Sequence, residues 1–203
     1  NLTEEQFNSI PKGLLTKLKI PLQDTTGFDF SGLNNIKELD LSRVRNLSSE
    51  QFNSIPKKQL TKVKLFHTDV QRFDFSNLIS IEELDLEGAK NFTSEQFNSL
   101  PKDKLIKLSL LGINLRSFIF SNLTQIQELD LECSQELSAG QFNSMPKQHL
   151  IKLNVSDVLL TDFVFSNLDV IQELNFGFAT GLIANQFNDI PKQPLVKLNL
   201  STI

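Results

Sequence analysis

The chain has 203 residues, of which 39% are apolar and 22% are charged, so it can bury a substantial core in one or two domains. Its net charge of −4 does not favour a nucleic-acid or anionic-membrane surface, and no apolar run is long enough to span a bilayer. Cys133 is the single cysteine, which excludes an internal disulfide framework. The opening residues NLTEEQF lack the features of a signal peptide, which favours an intracellular location.

The first predicted element is a short helix in the phrase EQFNSIPK at 5–12, which returns every 45 residues (5 to 50, 50 to 95 and so on). A Ser or Thr precedes the first four copies, with Gln three residues later, which is the spacing of a helix capping box. The Phe after that Gln should pack inward, and the Pro should end the helix. In the fifth copy Ile183 occupies the cap position, so we expect a weaker helix start there.

The next predicted elements are strands in two related units of each period. One unit carries LxxLxL, first at Leu15, Leu18 and Ile20, and the other carries IxELDL, first at Ile36 and Leu39. The nine units alternate between steps of 21 residues (15 to 36) and 24 residues (36 to 60). Apolar and polar residues alternate in each unit, which predicts a half-buried strand, and self-similarity at this period indicates stacked repeats.

A second repeated phrase, FDFSGL and its variants, carries paired phenylalanines that we expect to form an interior spine. The pairs are Phe28/Phe30, Phe73/Phe75, Phe118/Phe120 and Phe163/Phe165. Because apolar residues recur at the same place in every period, both repeated phrases are interpreted as scaffold. The alternative is a binding motif presented in several copies.

These nine units resemble leucine-rich repeats over the whole chain, and the 24-residue units resemble the cysteine-containing class. Val44, Ala89, Ser134 and Ala179 stand where that class has Cys. The resemblance implies an α/β right-handed solenoid, or horseshoe, with a nine-stranded parallel sheet on the concave face and short helices or 3-10 turns on the convex face. We expect one domain over 1–203, as a fragment of a longer array without end caps. Uncapped terminal repeats would favour end-to-end self-association.

The third position of each LxxLxL or IxELDL unit alternates in charge along the chain. The residues are Lys17, Glu38, Lys62, Glu83, Lys107, Glu128, Lys152, Glu173 and Lys197. Neighbouring strands lie about 4.8 Å apart, so each ammonium would lie beside a carboxylate. This pattern predicts a charge ladder that fixes the order of the coils. The alternative is a polar groove for a charged ligand.

Variable residues on and after the strands are the candidates for partner binding. Lysine becomes rarer at the fifth position of the units toward the C-terminal half, and the strand between two acidic triplets has only Lys107 as a cation. These triplets would suit a basic segment of a partner or, less favourably, Ca²⁺. Three large apolar residues follow strands and could anchor an interface or fold over the rim of the core. The candidates are Glu83, Asp85, Glu87, Glu128, Asp130, Glu132, Phe66, Leu111 and Phe178. The alternative for the triplets is a set of solvated surface carboxylates.

The sequence does not support catalysis. His67, His149 and Cys133 form no recognisable nucleophile and base pair, and there is no phosphate-binding loop or metal-ligand spacing. We therefore expect no enzyme activity, no cofactor and no metal. The expected function is recognition of a partner protein through the concave sheet and adjacent loops. The alternatives are a structural or cell-surface adhesion array and the substrate-recognition arm of a larger enzyme.

Overall fold

The computed structural model describes residues 2–203, which form two compact units that divide between Pro101 and Lys102. In each unit the successive strands pair in parallel and in register, for example Lys17 with Glu38 in the first unit. The first unit contains β1 (Lys17–Lys19), β2 (Glu38–Asp40), β3 (Lys62–Lys64) and β4 (Glu83–Asp85). The second contains β5 (Lys107–Ser109), β6 (Glu128–Asp130), β7 (Lys152–Asn154), β8 (Glu173–Asn175) and β9 (Lys197–Asn199). The predicted strand positions are confirmed.

A short helix precedes each of the first four pairs of strands and a fifth precedes β9, and the helix boundaries follow the repeated phrase. They are α1 (Glu4–Ser9), α2 (Ser49–Ser54), α3 (Ser94–Ser99), α4 (Ala139–Ser144) and α5 (Ala184–Asn188), with 3-10 turns at Lys12–Leu14 and Lys57–Gln59. At α2 the Ser48 hydroxyl accepts a hydrogen bond from the Gln51 amide at 3.2 Å, and the Gln51 side chain accepts one from the Ser48 amide at 2.8 Å. These reciprocal bonds form the predicted capping box.

Helix α5 begins without a side-chain cap, as the sequence predicts. Ile183 has no side-chain acceptor, so only half of the capping box is present, in which the Gln186 side-chain Oε1 accepts from the Ile183 amide at 2.9 Å. Replacing Ile183 with Ser should supply the missing acceptor and raise the free energy of unfolding by about 1 kcal/mol. Urea denaturation measures this change. Ser138→Ala, at the equivalent cap of α4, should show the opposite change, and no gain in Ile183→Ser would contradict the assignment of the cap.

Phenylalanine rings fill the interior, although the stacking differs from the predicted spine. Phe52 of α2 stacks on Phe73 with the ring centroids 4.2 Å apart and the planes 10° apart. Phe73 and Phe75, the sequence pair, are tilted by 41° at 6.4 Å. Each stack therefore joins a helix to the coil that follows it, and the pairs Phe7–Phe28 and Phe142–Phe163 repeat it at 4.3 and 4.7 Å.

The polar residues of the repeated phrase hydrogen-bond neighbouring coils. The side-chain Nε2 of Gln51 donates to the backbone carbonyls of Thr25 and Phe28 in the preceding coil, at 2.7 and 2.9 Å. The Asn53 side chain donates forward to the Arg72 carbonyl at 3.3 Å and accepts from the Asp74 amide at 2.8 Å. Gln96, Gln141 and Gln186 repeat the backward bonds. These contacts support the interpretation of the phrase as scaffold.

The lysine at the last position of the repeated phrase is buried against the C-terminal end of its helix. Lys57 is 3% exposed, and its Nζ donates to the carbonyls of Phe52 and Asn53 at 3.1 and 3.2 Å. The same ammonium lies 4.9 Å from the centre of the Phe52 ring. It adds hydrogen bonds to carbonyls in the last turn of the helix, where backbone acceptors have few partners within the helix. Burial lowers the pKa of Lys57, with a partial offset from Asp74.

Burial lowers the pKa of Lys102, at the same place in the third copy, from 10.5 to about 8. Between these values the unfolded chain keeps a proton that the folded chain releases, so raising the pH through this window favours folding. The free energy of unfolding of the wild type, minus that of Lys102→Met, should therefore rise from pH 8 to pH 10.5. Lys58→Met, which removes an exposed lysine, provides the control variant. A flat difference for Lys102→Met would contradict the lowered pKa.

Candidate partner-binding surface

The exposed strand face of each unit carries the predicted charge ladder. In the first unit Lys17 lies 2.7 Å from Glu38, and Lys62 forms an ion pair with Glu83. In the second unit the lysines of β5, β7 and β9 pair with glutamates of β6 and β8 at 3.0–3.8 Å. The hydrogen bond and charge of Lys17 lower the pKa of Glu38 and are matched by a raised pKa for Lys17. Because these side chains are partly exposed to solvent, the ladder contributes more to register than to stability.

The fifth position of each unit, which is the last residue of its strand, has a structural role that the sequence analysis missed. Asp85 accepts a hydrogen bond from the Glu87 amide at 3.2 Å, and Asp130 accepts one from the Glu132 amide at 3.0 Å. Equivalent bonds occur at Asp40, Asn154, Asn175 and Asn199. An Asx side chain that bonds the backbone two residues on forms a turn, so these residues end their strands. The recurrence of Asp or Asn at this position is the sequence feature that could have predicted the turn.

The acidic candidates form one triplet in each unit, and the members are half-buried. In the first unit Glu83 pairs with Lys62, and Asp85 bonds the Glu87 amide. In the second unit Glu128 pairs with Lys107 at 3.0 Å, and Glu132 accepts a hydrogen bond from Asn154 at 2.8 Å. These contacts support the ladder interpretation, and partner binding by the triplets stays a prediction. Within residues 2–203 no group of three or more His, Cys, Asp or Glu is arranged to hold a metal ion.

The three apolar candidates have different surroundings. Phe66 is half-buried beneath the Arg43 guanidinium, which lies 4.5 Å from its ring centre, and beside the His67 ring at 4.2 Å. Leu111 is also half-buried. Phe178 is 61% exposed. Phe66 and Leu111 are therefore partly folded over the rim of the core, and Phe178 is the one of the three that projects into solvent.

Phe178 also occupies a turn with a left-handed backbone. The third residue after every strand in residues 2–203 has a positive φ, and its value at Phe178 is 59°. Gly88 and Gly112 fill this position in two other coils, where glycine adopts the conformation without penalty. For a residue with a Cβ this conformation costs about 1–2 kcal/mol. Arg43 and Cys133 carry the same penalty, so the exposure of its aromatic ring is what makes Phe178 a candidate for function.

The candidate catalytic groups remain unsupported. Burial raises the pKa of Cys133, and the neighbouring Asp157, Glu132 and Asp130 raise it further. A nucleophilic cysteine needs the opposite environment, because its thiolate is the reactive form. The His67 Nδ1 lies 3.4 Å from the Gly88 carbonyl oxygen. Over the described residues, 2–203, no helix has the length and apolar character needed to cross a bilayer.

The comparisons with known proteins agree on the fold. No protein-family model matches the chain, and no curated protein matches it. Among solved structures, an internalin (inlF) from Listeria monocytogenes is 16% identical with a TM-score of 0.66, over 98% of this chain and 63% of that one. TLR13 in its ssRNA13 complex is 17% identical with a TM-score of 0.57, over 98% of this chain and 34% of that one.

This chain thus spans less than two thirds of either structure. At these identities the similarity concerns the fold alone. Together with the parallel strands and the repeated coils, it confirms the resemblance from the sequence. The chain has the α/β leucine-rich-repeat fold.

Proposed function

We propose that this chain is a non-catalytic recognition module that binds a partner protein through the exposed strand faces and the loops that follow the strands. One observation carries the proposal: residues of the repeated phrase make contacts within the scaffold, whereas several residues that differ between coils just after the strands face solvent. Gln51, Phe52 and Lys57 illustrate the first group, and Arg43, Cys133 and Phe178 the second. Repeat folds commonly use such surfaces for binding, which supports the proposal.

The charge of the chain supports a partner with a basic segment. Each unit presents an acidic triplet that includes one glutamate of its ladder, and the net charge of the chain is −4. The structural similarity to TLR13 in an ssRNA13 complex raises RNA as another ligand class. A negatively charged surface binds nucleic acid poorly, because affinity depends on cations that neutralise phosphates. An adhesion array and the recognition arm of a larger enzyme remain the alternative settings for the same binding role.

The test compares two variants with equal changes in charge. The first neutralises the strand-face carboxylates with Glu83→Gln, Asp85→Asn, Glu128→Gln and Asp130→Asn. The control neutralises residues off that face with Glu5→Gln, Glu50→Gln, Glu95→Gln and Asp103→Asn. Quantitative mass spectrometry of proteins captured from native lysate should show a partner retained by the wild type and control and lost from the first variant. Equal retention by both variants would remove the strand face as the binding surface.

End-to-end self-association is a second candidate, favoured by exposed apolar residues near the outer strands. Leu14 is 88% exposed and Val196 is 82% exposed. Pairing β9 of one copy with β1 of another would place Lys197 beside Lys17, and these like charges oppose the contact. We therefore expect salt to strengthen any such association, because salt screens the repulsion. Light scattering at low and high salt tests this, and a monomer under both conditions would exclude stacking.

A further inference from the structure

One contact between coils changes from polar to apolar along the chain. In three successive periods a side-chain hydrogen bond of 3.0 Å joins two loop residues 22 positions apart. The pairs are Asp24–Asn46, Asp69–Asn91 and Asn114–Glu136. In the fourth period the pair is Leu159 and Gly181. A Cβ on Gly181 would lie 3.0 Å from Leu159 Cδ1, so the leucine side chain covers the glycine.

Two further positions near this contact change in the same direction. The helix cap is Ser48, Thr93 and Ser138 in earlier periods and Ile183 in the fourth, and the turn residue is Arg43, Gly88 and Cys133 in earlier periods and Phe178 in the fourth. Ile183 leaves its helix without a side-chain cap, and Phe178 holds a left-handed backbone. Ser or Thr suits the cap better than Ile183, and Gly88 suits the left-handed turn better than Phe178, whereas Arg43 and Cys133 adopt the same backbone as Phe178. Local folding therefore favours neither apolar residue at its position.

The three apolar side chains are exposed and close in the fold. Leu159, Phe178 and Ile183 are 62%, 61% and 59% exposed. Leu159 forms a parallel bridge with Thr180, which is separated from Phe178 only by the buried Ala179. Leu159 also covers Gly181, two residues before Ile183. The three residues are called the fourth-period patch below.

A neighbouring coil does not cover these positions. Equivalents in earlier periods are followed by further coils of the same unit and are nevertheless exposed, as Asp69 and Arg43 show in the first unit for Leu159 and Phe178, and Ser138 in the second unit for Ile183. The coil that contains β9 likewise follows Phe178, whose amide donates to the Ser201 carbonyl at 2.7 Å. The patch therefore needs an occupant from outside the array if its apolar surface is to be buried.

The charges around the patch indicate the chemistry of that occupant. From Leu153 to Pro191 the sequence contains no Lys, Arg or His, and its charged residues are all acidic: Asp157, Asp162, Asp169, Glu173 and Asp189. The Asp157 amide donates to the Gly177 carbonyl at 2.9 Å, which places Asp157 beside the residue that precedes Phe178. Asp162 directly follows Thr161, whose Oγ1 lies 2.7 Å from a Cβ built on Gly181. An apolar patch with an acidic border complements an apolar segment with a basic border.

We propose that Leu159, Phe178 and Ile183 form a docking surface for an amphipathic segment of a partner protein that carries Leu or Phe on one face and Lys or Arg around it. This proposal deepens the recognition function above and rests on it. The patch buries the apolar face of the segment, and Asp157 and Asp162 attract its basic residues.

The test uses two synthetic helical peptides with the same leucines on one face and either Lys or Glu at all polar positions. Each peptide is titrated into isotope-labelled protein and followed by the backbone amide resonances of Leu159, Thr180 and Ile183. We expect the Lys peptide to shift these resonances and the Glu peptide to leave them unchanged. The triple variant Leu159→Asn, Phe178→Gly, Ile183→Ser should weaken binding of the Lys peptide by about tenfold or more.

The triple variant keeps every charge, so a purely electrostatic attachment of the Lys peptide would survive in it and would overturn the proposal. Its substitutions suit the local backbone, so thermal unfolding should show no loss of stability, and a destabilised variant would be replaced by Phe178→Gly alone. Val164→Asn with Val170→Asn removes exposed apolar residues of the same period outside the patch and should leave binding unchanged.

The remaining outcomes also decide the proposal. Equal binding of the two peptides, or of wild type and triple variant, overturns it. Self-association of the wild type that the triple variant abolishes would instead assign the patch to a second copy of the chain. If the patch fails while the strand-face variant loses its captured partner, the recognition function stands with a different surface. If neither surface affects binding, the proposed function fails as well.

Discussion

Replacing Phe52 with alanine is expected to lower the free energy of unfolding by about 3–5 kcal/mol, which is the usual cost of removing a fully buried aromatic ring. The ring is 0% exposed, stacks on Phe73 at 4.2 Å and lies 5.5 Å from Phe75. Alanine would leave a cavity between α2 and the following coil. It would also leave the Lys57 ammonium without the ring that it now covers at 4.9 Å.

The fifth copy of the phrase supplies a matched control for this prediction. Phe187 occupies the same position as Phe52 and is half-buried. Phe187→Ala should therefore lower the free energy of unfolding clearly less than Phe52→Ala does, because folding removes less apolar surface from water at Phe187. Phe52→Leu should fall between the wild type and the alanine variant. Urea denaturation of the variants measures the order, and equal losses at Phe52 and Phe187 would contradict an explanation based on burial.

The strands and the charge ladder could be predicted from the sequence because both depend on spacing. A strand repeated every 21 or 24 residues brings the same position of each coil next to its neighbour. Alternating lysine and glutamate at that position must then form ion pairs, as Lys17 and Glu38 do. No knowledge of side-chain conformation is needed for this step.

The contacts between coils could not be predicted in the same way, because each depends on where a side chain ends. The capping-box spacing predicts the bond from the Gln51 side-chain oxygen, and nothing local predicts that its nitrogen reaches Thr25 and Phe28. Lys57 follows a proline and is charged, so its sequence context suggests an exposed residue. Its burial follows from the curvature of the chain after α2, which returns the ammonium to the helix end.

The candidate surface was predicted in part for a related reason. The sequence distinguishes variable from repeated positions, so Phe178 could be selected as a candidate. It does not show that Phe66 lies under Arg43, or that Asp85 ends its strand by bonding the Glu87 amide. The Leu159–Gly181 contact joins residues 22 positions apart that carry no shared motif. Only the superposition of equivalent positions in three dimensions shows that this contact replaces a hydrogen bond.

Replacing Gln51 with leucine should lower the free energy of unfolding by about 2–4 kcal/mol, because it removes three hydrogen bonds at once from a partly buried site. The side chain accepts from the Ser48 amide and donates to the carbonyls of Thr25 and Phe28. Leucine has a similar volume, so the loss would arise from unsatisfied backbone groups and only slightly from packing. Urea denaturation measures it, with Gln59→Leu as a control, since the Gln59 amide makes only an exposed contact of 3.5 Å.

Two further variants separate the cap from the bonds between coils. Ser48→Ala removes the other half of the capping box and should cost about 1 kcal/mol, which is less than Gln51→Leu. Gln51→Glu keeps the oxygen that accepts from the Ser48 amide and replaces the donor nitrogen with an oxygen that faces two carbonyls. That variant should be at least as unstable as Gln51→Leu, because the Glu carboxylate would face two carbonyl oxygens and has no proton to donate to them. If Ser48→Ala proved as costly as Gln51→Leu, the glutamine would act only as a helix cap. The observed order therefore decides whether this residue of the repeated phrase holds one helix or joins successive coils.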